Sequence, residues 1–325
     1  MFYSNINYFC SSGMANYQGT GLNPETNKPA FSSTLVLVLL LGCLSIQQAK
    51  AQLEFVSFFG TSHYSGDLGG GFSFSEMNTS ELSFGSTRFA LGAGVRAYAT
   101  RRLAFRGNLF YGKISGDDKY TDNIPRRNRN LNFYSPIVGI TGYMEFHFGF
   151  GSKGVDQFYL MGGADYFHFN PKTKYKGSVV ELQPLGTEGQ YFIQDKAPYN
   201  LNSGAMVLGM GANLFYSPRA TLSLEITGHR TFTDYLDDVS TTYVDKSQLL
   251  TSNGQDAVAL ADRSLGLIPN SSDPGAIRGN PGVKDNFYFV SVVYSYRIGN
   301  SKRNSSVYNQ PGGVRRGTKK RCFDF

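Results

Sequence analysis

The sequence predicts an all-β protein, an eight-stranded antiparallel transmembrane outer-membrane β-barrel with long extracellular loops, and three observations carry that expectation. Residues 287–298 (FYFVSVVYSYRI) alternate strictly. Tyr288, Val290, Val292, Tyr294, Tyr296 and Ile298 make one apolar row with Tyr near both ends, while Ser291, Ser295 and Arg297 occupy the other face. A bilayer-spanning strand needs roughly 9–11 residues, interfacial aromatics and a polar lumen face, and this stretch supplies all three. Seven more segments repeat the pattern, joined by connections that alternate long and short. Composition agrees, because 38 Gly, 26 Phe and 21 Tyr with no Trp suit strands packed closely around a narrow barrel. Alternation keeps hydropathy low on average in such chains, so a mean hydropathy of -0.27 is compatible with a membrane protein.

In chain order, strand one is expected at 54–62, followed by a Gly-rich polar loop at 65–86. At 88–100, Phe89, Leu91, Ala93, Val95 and Ala97 form the lipid row, which places Arg96 in the lumen with Gly92, Gly94 and Tyr98. A tight turn at Arg101-Arg102 returns the chain through 103–115, with Leu103, Phe105, Leu109 and Tyr111 outward and Arg106 and Asn108 inward. A basic loop, 116–130, leads to 132–148, whose outward Val138, Ile140, Met144, Phe146 and Phe148 leave Glu145 and His147 inside. After a short turn, 157–169 turns Phe158, Leu160 and Tyr166 out and Asp165 in. The long loop 170–202 precedes 203–216, with Met206, Leu208, Met210, Leu214 and Tyr216 outward. Ser217-Pro218-Arg219 turns the chain into 220–230, with Leu222, Leu224 and Ile226 outward and Glu225 inward, and the longest loop, 231–286, precedes the closing strand.

An even strand count, with short turns alternating with long loops, is the pattern of periplasmic turns and extracellular loops. The expected localisation is the bacterial outer membrane with both termini in the periplasm. An eight-stranded barrel is only wide enough for side chains to fill it. The inward ions are Arg96, Arg106, Arg297, Glu145, Asp165 and Glu225, three of each sign. Buried ions are costly unless paired, so they are expected to form one closed ion-pair network.

Residues 1–51 read as a secretory signal segment. An uncharged run at 34–46, too short to span a bilayer as a helix, is followed by Ala49-Lys50-Ala51, so the mature chain is expected to begin at Gln52. Residues 1–30 look like an extension upstream of the true start, at Met14 or later. Leu40-Leu41-Gly42-Cys43 is similar to a lipoprotein box. Beyond Gln52 the sole cysteine is Cys322, which excludes a disulfide-stapled scaffold. Residues 299–325 form a basic tail, expected to be disordered and periplasmic, and screening by salt would weaken any docking through it.

Three patches resemble one family. They are Gly60-Thr-Ser-His-Tyr-Ser-Gly-Asp-Leu68, then 230–245 (RTFTDYLDDVSTTYVD) with Leu260-Ala-Asp-Arg-Ser264, and finally Arg278-Gly-Asn-Pro281. Together they resemble a family of Bacteroidetes outer-membrane barrels that includes the PorG-like component of the type IX secretion system. The resemblance covers residues 53–298 and implies a non-enzymatic anchor for secretion or gliding. Its implied partners are outer-membrane lipid and periplasmic secretion-ring proteins or lipoproteins, with no nucleic acid. The alternative is a small surface barrel whose long loops bind an external ligand or matrix.

Other chemistry has little support in the sequence. Asp234, Asp237, Asp238 and Asp245 invite a calcium reading but lack EF-hand spacing, and the bland expectation is that they cap turns and pair with Arg230 or Arg263. The histidines at 63, 147, 168 and 229 have no zinc spacing. The glycines at 66–71 precede no helix, so a phosphate loop lacks its context. Asp165, His168 and His229 are the nearest approach to a hydrolase constellation. No cofactor is expected.

Overall fold

In the computed structural model the described residues are 52–69, 84–100, 102–149, 157–194, 196–217 and 219–298; the expected signal segment 1–51 with its Cys43 box and the tail 299–325 lie outside them. The strands are β1 (Gln52–Ser65), β2 (Arg88–Tyr98), β3 (Leu103–Asp117), β4 (Asn132–Phe148), β5 (Phe158–Phe169), β6 (Lys172–Tyr175), β7 (Ser178–Glu181), β8 (Asn202–Tyr216), β9 (Ala220–Thr231) and β10 (Asn286–Ile298). Eight of them pair antiparallel in the ring β1-β2-β3-β4-β5-β8-β9-β10, and β1 closes it by pairing with β10 from Leu53↔Ile298 to Ser65↔Asn286. The hairpin β6–β7 extends β4 at the loop end through Tyr134↔Lys172. Residues 170–202, read as loop from sequence, therefore contain sheet.

Alternation decides which face each strand buries. Along β2, Phe89, Leu91 and Val95 stand outward while Ala90 and Arg96 are buried. The large apolar side chains left in the open include Phe59 at 65%, Leu109 at 67% and Leu208 at 75% exposure, a continuous wall that only an apolar surround would cover favourably. Strict alternation fails in β8. There the register shifts between Asn213 and Phe215, and Leu214 and Phe215 both turn outward, because a bulge sets two residues against one.

The wall makes a testable asymmetry. Arg at Leu91 or Leu224 is expected to lower the stability of the inserted barrel by roughly 2–4 kcal/mol, read by urea unfolding from vesicles. A polar exchange at the inward Ser291 serves as the lumen control. Gly94 does not, because a Cβ there would lie 2.0 Å from the carbonyl oxygen of Gly107 on the neighbouring strand. Equal losses from Leu91→Arg and Ser291→Asn would refute the facing.

The interior has two layers. Toward the loop end, Phe110, Phe167, Phe287 and Phe289 pack edge and tilt with centroids 5.3–6.4 Å apart, beside Ile114, Ile137 and Phe133. Toward the short-turn end the filling is ionic.

Candidate functional site

The ionic layer is built from strand positions that the register sets beside one another. Arg297 lies opposite Glu54, Glu54 opposite Arg96, and Arg96 opposite Arg106. Two arginines facing each other would repel, and two carboxylates, Glu145 on β4 and Glu225 on β9, each pair with both of them. Glu145 forms ion pairs with both, its carboxylate 2.7 Å from Arg96 Nε and 2.9 Å from Arg106 Nε, and it accepts a hydrogen bond from Arg96 Nη2 at 3.3 Å. Glu225 takes Arg106 through both Nη atoms at 2.6 and 3.0 Å, and the Tyr159 hydroxyl donates to it at 2.5 Å. Glu54 joins Arg96 to Arg297, each at 3.3 Å. The result is one chain, Arg297–Glu54–Arg96–Glu145–Arg106–Glu225, running through six strands. Ser295 and His147 supply further hydrogen bonds, and the Arg106 guanidinium lies 4.7 Å over the Tyr143 ring.

Asp165 does not belong to that chain, contrary to the sequence expectation. Its side chain faces the lumen one layer closer to the loops, where His229 Nδ1 lies 2.5 Å from Asp165 Oδ2, and among the described residues no arginine bonds to it. Glu54 takes its place, which keeps three ions of each sign. The signal was present, since Glu54 falls on the same two-residue row as the inward Val56 and Tyr64. His229 Nε2 lies 2.9 Å from Thr227 Oγ1, so an acid, an imidazole and a hydroxyl are in line, but Asp165, Thr227 and His229 are all buried. His168 stands apart, bonded to Asn202 on the outside.

At the other end the long connections fold into a cap. Among the described residues it contains the α-helices α1 (Ile124–Arg129), α2 (Lys246–Asn253) and α3 (Gln255–Ala261), and two buried arginines knit its segments together. Arg129 grips Asp118 with Nε at 2.8 Å and Nη2 at 2.9 Å, and also donates to the carbonyls of Asp67 and Arg278. Arg278 donates to Glu188 at 2.9 Å, to the Asp238 carbonyl at 2.6 Å and to the Ala261 carbonyl at 3.3 Å. Glu188 in turn accepts the backbone N–H groups of Ser240 and Thr241. All four long connections thus share one polar core, resting on the aromatic layer through Tyr64 and Leu236.

The acidic run is dispersed within this cap rather than gathered. Asp234 accepts from Ser240 Oγ at 2.6 Å, Asp237 from Tyr64 at 2.6 Å, and Asp238 from Thr187 at 2.6 Å and Tyr199 at 2.7 Å. Asp245 is the N-cap of α2. Among the described residues no group of acidic, His and Cys side chains has the arrangement of a metal centre. The expected pairing with Arg230 or Arg263 also gives way: Asp238 meets Arg278, Arg230 points to the exterior, and Arg263 bonds Asn132. Asp238 adopts φ 68, a left-handed backbone that its buried partners hold in place.

The Tyr64 hydroxyl also lies 2.9 Å from Asp285 Oδ1. One phenolic proton thus faces two carboxylates, Asp237 and Asp285, which compete for it. Burial first, and then the charge of a neighbouring carboxylate, Asp67 for Asp237 and Asp237 for Asp285, pushes both carboxyls well above the usual range. Burial likewise pushes Asp234 up to about 7 and Asp238 up to about 6. A carboxyl raised in the folded state stabilises it at low pH, and that contribution is lost as pH climbs through the raised value. The cap should therefore be cleaved faster by an added protease at pH 8 than at pH 5, and Asp234→Asn should shrink the difference. A pH-independent rate, corrected for the protease's own profile, would count against protonation.

Three patches distant in sequence meet here. Asp67 of 60–68 accepts from the Asn280 N–H of 278–281 at 2.8 Å, Tyr64 holds Asp237, and Arg278 holds Asp238. Residues of all three patches that carry the sequence resemblance thus take part in building the cap, together with Asp118, Arg129 and Glu188 from the other connections.

Among solved structures the chain is similar to Neisserial surface protein A (NspA), 9% identical, with a TM-score of 0.35 over 76% of this chain and 97% of that one. It is also similar to Ail, the attachment invasion locus protein of Yersinia pestis, solved with the heparin analogue sucrose octasulfate: 8% identity, TM-score 0.33, 76% and 99% covered. A third is the N-terminal β-barrel domain of Pseudomonas aeruginosa OprF, at 9%, 0.30, 77% and 100%. Likenesses this distant carry no argument, and the barrel rests on its own register. No curated protein matches in sequence. The family model described as a domain of unknown function, DUF6089, matches residues 34–255, more than half of the chain, and this protein belongs to that family.

Proposed function

We propose that this protein is a non-enzymatic outer-membrane barrel that acts as an anchor rather than a conduit, in the service of a type IX secretion or gliding apparatus. The observation that carries the first part is the filled lumen, in which six ions in one chain and an aromatic layer occupy the space a solute would need. The apolar wall supports insertion. The short turns then face the periplasm, with both termini, and the cap faces outward. The secretion role rests on the resemblance of residues 60–68, 230–245 and 278–281, and the partners it implies are periplasmic ring proteins or lipoproteins.

Deleting the gene and following export of type IX cargo tests the role. Loss of cargo secretion is expected, and normal secretion overturns it. In planar bilayers the purified barrel should show no steady conductance, and open-channel currents would overturn the anchor reading. A second reading, a surface barrel that binds an external ligand, is favoured by apolar side chains the cap leaves in the open, such as Ile277 at 80% exposure. Cap variants that lose adhesion while cargo export stays normal would favour it.

A further inference from the structure

We propose that Tyr64, Asp237 and Asp285 form a proton-binding site that catches the cap onto the barrel mouth and releases it when the proton leaves. The inference goes beyond the anchor reading and does not depend on it.

Placement is the first argument. Tyr64, the penultimate residue of β1, pairs in register with Phe287, and Asp285 immediately precedes β10, so both belong to the seam where the barrel closes. Asp237 belongs to the cap, in the connection between β9 and α2. All three side chains are buried, and the Tyr64 ring meets Phe133 edge-on at 4.8 Å within the cluster that also holds Leu236. Cap and seam are joined here through one phenol.

The second argument is the hydrogen-bond count. Asp285 accepts the Leu236 N–H on Oδ2 and Asp237 accepts the Val239 N–H on Oδ1, each at 2.9 Å. The other two oxygens, Asp285 Oδ1 and Asp237 Oδ2, lie 2.9 and 2.6 Å from the Tyr64 hydroxyl. A phenol donates one proton and accepts through its lone pairs. With both carboxyls ionised it satisfies one of them, and the other faces a lone pair. With one proton added, one carboxyl donates to the phenol and the phenol donates to the other, so every short contact carries a hydrogen. Two carboxyls at close range share a proton for the same reason in other buried pairs.

The third argument is the lack of a counter-ion. Among the described residues neither carboxyl forms an ion pair, and the neighbouring cations are committed elsewhere: Arg129 to Asp118, Arg278 to Glu188 and Asp238, and Lys284 to the Pro281 carbonyl. The other charged groups about the site are Asp67, Asp234, Glu188 and Arg126, so acids prevail. Nor is there room for a side chain to intrude. A Cβ on Gly66 would lie 1.9 Å from Asp285 Oδ1 and 2.0 Å from the Tyr64 hydroxyl oxygen. A proton held in the closed form stabilises it at low pH, and that contribution is lost as pH climbs through the raised titration of the pair.

Amide exchange of Leu236 and Val239, the two backbone donors to the site, tests this in the full chain in micelles from pH 5 to pH 9. Protection factors are compared, so the intrinsic pH dependence of exchange is divided out. In the unaltered protein they should fall roughly tenfold per pH unit once the proton leaves, while those of β1 and β10 hold. Asp237→Asn aims an amide donor at the phenol with no proton to lose, so protection should persist without a slope. Asp285→Asn serves in the same way if the first variant misfolds, and heat-modifiable mobility on a gel verifies each barrel. Gly66→Ala should expose both amides at every pH. Protection independent of pH in the unaltered protein overturns the proposal, as does the unaltered slope in a folded Asn variant. A fall shared equally by β1 and β10 also overturns it, because the barrel rather than the cap would then be responding.

Discussion

Arg96→Ala is expected to lower the unfolding free energy of the barrel by about 3–5 kcal/mol, measured by urea titration in micelles. Arg96 is 2% exposed and touches three carboxylates, Glu54 at 3.3 Å, Glu145 at 2.7 Å and Glu225 at 3.8 Å. Removing the guanidinium leaves Glu54 with Arg297 alone and strips Glu145 of one of its two arginines. A buried charge left without its partner costs far more than the pair had contributed, so the loss measures stranded carboxylate rather than the worth of the original contact. The double variant Arg96→Met, Glu145→Met should recover part of the loss, since an apolar filling of similar volume strands fewer charges. A single-variant loss below about 1 kcal/mol, the size of a solvent-exposed pair, would mean water reaches this layer and would refute the sealed lumen.

Arg278→Ala is expected to release the cap while leaving the barrel folded. Arg278 is the meeting point of the segments around Glu188, Asp238 and Ala261, and without it Glu188 is a buried carboxylate left with uncharged donors, Ser240, Thr241 and Tyr235. The local cost is again about 3–5 kcal/mol. Hydrogen exchange reads it: the amides of Ser240 and Thr241 should lose protection by a factor of a hundred or more, while those of β1 and β10 keep theirs. Matching loss in cap and strands would mean that the two unfold as one unit.

The barrel was legible in the sequence because its information is local and repeats every two residues. Row assignments such as Leu91 outward and Arg96 inward follow from parity alone, and the closed register preserves them. Parity says which residues face the lumen but not which partner each reaches. Asp165 shared a face with the arginines and still paired with His229, since depth along the strand decides contact. The cap was not legible in the same way. Arg278 and Glu188 are 90 residues apart, in stretches with no apolar period, and only the folded chain brings them to 2.9 Å. The bulge at Asn213 and Phe215 escaped for a related reason, since Leu214 and Phe215 are both apolar and either could have kept the row.

The closure between the first and last strands constrains how this chain can enter a bilayer. Arg297 and Glu54 are 243 residues apart and meet only when that seam forms. An open sheet already surrounded by lipid would expose two unpaired backbone edges, and Glu54 would wait there without Arg297. Each of these is costly in hydrocarbon, so partial insertion is disfavoured and the sheet should curl shut before or while it crosses the interface. Contacts this distant also make closure slow, and the final strand sets the pace of assembly. A chain cut before β10 would then stall at the membrane surface with its edges exposed, where it becomes substrate for proteases or a template for unwanted strand pairing.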